Sequence, residues 1–113
     1  MVTVYAKKIV MNARDTESVL LDRCTAVAGQ ASPAVQAAQN AREANVFHLA
    51  ALVLRPHFPQ AAAQWQQASR LYFAAHPQEQ VDLPEVVRKG WVVSLPRLRD
   101  MLSQRLRGMQ ASA

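Results

Sequence analysis

The stretch from Val46 to Leu54, VFHLAALVL, constrains the fold more than any other part of this chain. It has helical length between Asn45 and Arg55, and Pro56 then blocks continuation. His48 is its only polar residue. A helix with so few polar positions has almost no face to offer water and belongs at the centre of a core. The rest of the chain must therefore supply amphipathic elements to surround it.

Punctuation by proline, glycine and capping residues divides the remainder into such elements. From Thr16 to about Ala28, Leu20, Leu21, Cys24, Val27 and Ala28 fall on one side of a helical wheel, with Asp15 as the expected cap and Gly29 as a left-handed terminator. Ser32 and Pro33 then read as the cap and first turn of the second helix, which would run to about Leu54. Its first half would present an Ala- and Gln-rich face, including Ala34, Ala37, Ala41 and Ala44, suited to close approach of another helix. That neighbour would belong either to the same chain or to a second copy in a homo-oligomer.

Pro59 opens a third helix with Trp65, Ala68, Leu71, Tyr72 and Ala75 as its inner stripe, and Phe73 outside it. Pro84 to Lys89 reads as a short helix ended by Gly90. Ser94 caps a last helix from Leu95 to Arg107, with Leu95, Leu98, Met101, Leu102 and Leu106 facing inward, Gly108 closing it and a frayed tail from about residue 109.

Residues 2–10 fit both a strand, through the alternation of Val2, Val4 and Ala6, and a helical face of Val2, Tyr5, Ile9 and Val10. As a strand the segment needs a partner for its backbone groups, and Trp91-Val92-Val93 is the other compact β-like run. The expected architecture is thus all-α or nearly so: one domain over residues 1–113, a bundle of four to five helices, with a minor two-stranded ribbon from residues 2–6 and 91–93 as a variant. Three glycines and 6% aromatic residues argue against a sandwich or barrel.

The formal charge of +5 points to acidic partners. Residues 81–113 hold six Lys and Arg against three acids, whereas residues 1–80 hold seven against five. Arg88, Lys89, Arg97, Arg99, Arg105 and Arg107 therefore form the expected contact surface for nucleic acid or a nucleoprotein assembly, through sequence-independent phosphate contacts. A short helix, a glycine turn and a capped arginine-bearing helix resemble a helix-turn-helix in outline, but Pro96 and the spacing from Gly90 to Leu98 fit that motif poorly.

Trp91, next to Gly90, serves either as a core plug or as an aromatic contact; if exposed, it would stack on an unpaired base beside Arg88 and Lys89. The alternative function is a protein-interaction module, such as an adaptor, chaperone or small inhibitor, working through a helical face or an apolar strip around Phe73.

Catalysis has little support in the residues. His48 lacks the cation and small neighbour a phosphotransfer histidine needs, and packs in the simpler reading. His57 and His76 form no metal-ligand spacing with Cys24, so no metal or cofactor is expected. The acidic residues do not pair as a general acid and base would. A lone Cys24 and an apolar run interrupted by Asn12, Arg14 and Asp15 give no sign of secretion, and no run approaches the about 18 apolar residues of a membrane span. The expectation is a non-enzymatic cytoplasmic binding protein without membrane contact.

Overall fold

The central stretch does form a helix, and the chain wraps around it. The structure, a computed structural model, describes residues 13–30 and 34–112, with side chains described over 17–30 and 34–110. Five α-helices follow one another among these residues: α1 (Ala13–Ala28), α2 (Ala41–Leu54), α3 (Pro59–Ala75), α4 (Leu83–Arg88) and α5 (Leu95–Ser112), with a 3₁₀ turn at Pro77–Glu79. No strand occurs among them; Trp91-Val92-Val93 forms a bend between α4 and α5, and the proposed ribbon partner, residues 2–6, lies outside the described residues.

Helix α1 buries Leu20, Leu21, Cys24 and Val27, the i, i+1, i+4, i+7 pattern of one helical face. It begins at Ala13, so Asp15 is a helical residue and not its cap. Gly29 follows its last residue without the positive φ expected of it; among the described residues only Gly90 has one. The N–H groups of Gly29 and Gln30 instead bond back to Thr25 and Val27.

The second helix starts at Ala41, eight residues later than the Ser32-Pro33 signal indicated; Ser32 and Pro33 themselves lie outside the described residues. Asn40 accepts the N–H of Glu43 at 2.9 Å and is the cap. Residues 35–40 run as irregular chain across the core, burying Val35 and Ala38, and Ala38 donates its N–H to the carbonyl of Ala68 at 3.1 Å. An Ala-, Gln- and Asn-rich run has no apolar stripe to bury as a helix, so the Asn40 cap and the contact with α3 set the boundary. The close-approach face of Ala34, Ala37, Ala41 and Ala44 therefore does not exist: Ala34 and Ala37 precede the helix, and Ala44 is in the core.

Helix α2 is central as expected, with Val46, Phe47, Ala50 and Leu54 fully buried, but Leu52 stands 52% exposed, so its last turns are not enclosed on all sides. A four-residue turn plugged by Phe58 reverses the chain into α3, and the α2–α3 hairpin is the largest interface in the fold. Pro59 opens α3 as expected. Trp65 and Ala68 are buried, and Tyr72 packs against the core. Leu71, placed in the same stripe by sequence, is 45% exposed. At about 100° per residue it lies about 120° from Trp65 around the helix. Ala75 is exposed too.

Asp82 caps α4 by accepting the N–H of Glu85 at 3.1 Å. The helix ends in a Schellman turn: Trp91 donates to the Val86 carbonyl, Gly90 to the Val87 carbonyl, and Gly90 takes φ = 74°. Ser94 caps α5 through the N–H of Arg97 at 3.2 Å. Leu98, Leu102 and Leu106 are buried beneath it.

Gly108 does not close α5; the helix continues to Ser112, and the residues from 109 expected to fray belong to its last turn. Met109, one turn past Leu106 and 42% exposed, lines a groove with Leu106, Ala28 and Phe58. Helices α1 and α5 run in parallel, since Glu17 pairs with Arg97 and, further along both, Asp22 pairs with Arg105.

Candidate functional site

Three of the six cations named from sequence are drawn to acids within four residues of them in the chain. Arg88 grips Glu85 with two hydrogen bonds, one from Nε at 2.8 Å and one from Nη2, and these hold the Glu85 carboxyl below the usual carboxylate range. Arg99 bonds to its neighbour Asp100 at 3.2 Å. Lys89 lies 3.8 Å from the same Glu85 and places Nζ 5.3 Å from the centre of the Trp91 ring.

Two others reach α1. Arg97 meets Glu17 at 3.1 Å, and Arg105 donates to Asp22, pairs separated by 80 and 83 residues in sequence. Arg107 is exposed and has no carboxylate partner among the described residues. Counted locally, the basic third held three acids; the tertiary structure brings Glu17 and Asp22 beside it. Four carboxylates, Glu17, Asp22, Glu85 and Asp100, thus pair with five of the six cations and reduce the positive charge the footprint offers a polyanion.

The two aromatic candidates are both half-buried and packed against the core. Phe73 meets Tyr72 edge-on, ring centres 5.8 Å apart. Trp91 packs at the α4–α5 turn with Lys89 over one ring face, which leaves that face unavailable to a stacking base. Val93 at the same turn is 65% exposed, and Val87 on α4 is 41% exposed.

Between α1, the start of α2 and the α4–α5 turn lies a cleft of about 290 Å³, lined by Glu17, Arg42, Lys89, Gly90, Trp91, Val92 and Val93. Its polar members come from three distant parts of the chain, so no sequence window contained them. Arg42 gave no signal of its own: it is one arginine near a helix start. A separate, largely apolar groove of about 330 Å³ runs between Ala28, the Phe58–Ala61 turn and Leu106–Met109.

His48 is half-buried on α2 and His57 is exposed beside the apolar groove. His76 stacks on Tyr72 at 4.6 Å, with Nδ1 3.3 Å from Glu79, and Tyr72 donates its hydroxyl to the same carboxylate. Hydrogen bonding to Glu79 raises the Tyr72 pKa, so the phenol keeps its proton. Burial pushes the Cys24 thiol up to about 12, far from a thiolate nucleophile. Among the described residues no three His, Cys, Asp or Glu side chains gather as a metal-ligand set, and no helix is long and apolar enough to cross a membrane.

Comparison with known proteins adds no family, since no protein-family model, curated protein or solved structure matches the chain.

Proposed function

We propose that this protein is a non-enzymatic interaction module that docks an acidic segment of a protein partner at the α4–α5 turn. The observation that carries the reading is Val93, 65% exposed at that turn and lining a cleft that also holds Trp91, Lys89 and Arg42. Exposed apolar side chains beside cations suit a partner that presents an aliphatic or aromatic side chain between acidic ones. The chain's charge of +5 favours encounter with such a partner.

Nucleic-acid contact through Arg88, Lys89, Arg97, Arg99, Arg105 and Arg107 is the second reading. Arg107 has no carboxylate partner among the described residues, and exposed ion pairs are worth only about 0–1 kcal/mol, so phosphates can take over the paired arginines. It ranks second because four carboxylates sit within that footprint and would oppose a polyanion.

One titration series separates the two. Fluorescence anisotropy is measured for a labelled peptide with glutamates around a leucine, its all-glutamine counterpart, and generic single- and double-stranded DNA and RNA, at about 50 and 200 mM salt. The docking reading expects the glutamate peptide to bind, the glutamine peptide not to, and Val93→Asp to abolish binding. Binding of the nucleic acids alone, weakening steeply with salt and with Arg107→Glu, would replace it with the second reading.

A further inference from the structure

Arg42 occupies an unusual position for a cation. It sits in the first turn of α2 and is half-buried, and its Nε is enclosed without a hydrogen-bond partner. Two acids next to it among the described residues are already engaged. Glu43 accepts from Arg23 at 2.9 and 3.3 Å and from the N–H of Gln39 at 3.1 Å, while Glu17, which shares the cleft with Arg42, is held by Arg97. An enclosed N–H left without an acceptor is costly in the free protein. It therefore favours any state that supplies one.

We infer that Arg42 receives a carboxylate side chain of the partner, entering the cleft between Arg42 and Lys89 with its aliphatic stem along Val92 and Val93. The choice of a protein carboxylate rests on the docking reading above; the presence of an anion site at Arg42 does not. A planar guanidinium matches a carboxylate through two parallel hydrogen bonds, and Lys89 supplies a second, rotatable charge. Glu17 in the cleft wall disfavours a doubly charged phosphate more than a singly charged carboxylate. About 290 Å³ accommodates one side chain, and the open space around Gly90 leaves room for the backbone that carries it.

The test follows the arginine Nε–Hε resonances of the full chain by ¹H–¹⁵N spectroscopy during titration with the glutamate peptide, glutarate and inorganic phosphate. The Arg42 resonance is expected to move saturably with peptide and, more weakly, with glutarate, and least with phosphate. Arg42→Met should lower peptide affinity about tenfold or more, as loss of a charge-assisted hydrogen-bond pair does. Arg42→Lys should restore part of it.

If the peptide binds while the Arg42 resonance stays still and Arg42→Met binds as well as the parent, the assignment of Arg42 is overturned and the docking reading survives. If glutarate moves Arg42 but no acidic peptide binds, the carboxylate site stands and the docking reading fails. A larger response to phosphate than to glutarate overturns the carboxylate assignment. The parent titration decides these points even if an Arg42 variant does not fold.

Discussion

The indole N–H of Trp65 donates to the backbone carbonyl of Cys24 at 2.9 Å, with both residues fully buried. This bond ties the middle of α3 to the C-terminal half of α1, 41 residues earlier in the chain. It also explains how the largest core side chain is accommodated: an indole N–H buried without an acceptor would cost about 1–3 kcal/mol. Replacing Trp65 with Phe removes the donor and some volume, and stability to urea is expected to fall by about 1–3 kcal/mol. Trp65→Ala should cost about 3–5 kcal/mol, seen as a lower midpoint with an unchanged denaturant slope.

Cys24 gives stability a dependence on alkaline pH. The unfolded thiol ionises near 9.0, whereas the folded one keeps its proton to about 12. Between these values the native state binds one proton that the unfolded state has lost, so stability falls as pH rises, by about 1.4 kcal/mol per unit from this group. Below pH 9 neither state loses the proton and the contribution is flat. Denaturation curves from pH 8 to 11 should show a shallower decline for Cys24→Ala than for the parent. A thiol reagent should label the parent only at its unfolding rate.

Asn45 holds the α3–α4 connector. Its side-chain amide donates to the Ala41 and Glu79 carbonyls at 2.8 and 3.0 Å, and its Oδ1 accepts the Val81 N–H at 3.0 Å. Asn45→Leu keeps the branched shape in a somewhat larger side chain and removes all three bonds, leaving connector groups unpaired against an apolar side chain. A loss of about 2 kcal/mol is expected, together with faster hydrogen exchange at the Val81 amide than elsewhere.

The Arg23–Glu43 pair couples α1 to α2 at 2.9 Å, with Glu43 almost wholly buried. Arg23→Met strands that carboxylate, and about 3 kcal/mol of destabilisation is expected. The double variant Arg23→Met with Glu43→Leu should recover part of it, because no buried charge remains. A double-mutant cycle measures the difference; strictly additive losses would mean the pair is not coupled.

Much of the fold was written locally. The rows Leu20-Leu21-Cys24-Val27 and Leu98-Leu102-Leu106, Pro59 at the start of α3, Gly90 in the turn and Ser94 at the head of α5 each act within a few residues, where helix period, capping and proline sterics operate. So does the burial of Phe47 and Leu54.

Other features were decided only by tertiary structure. Asn40, not Ser32, starts α2, because residues 35–40 cross the core and bond to α3; α5 runs past Gly108, where Met109 lines a groove formed with α1 and the α2–α3 turn. The charge balance changed most. The arginines of α5 were visible in the sequence, but Glu17 and Asp22, which pair with two of them, lie 80 or more residues away. The same holds for Arg42 beside Lys89 and Trp91. Local periodicity sets which face of each helix is buried, and only the packing of helices determines which charges meet across the surface.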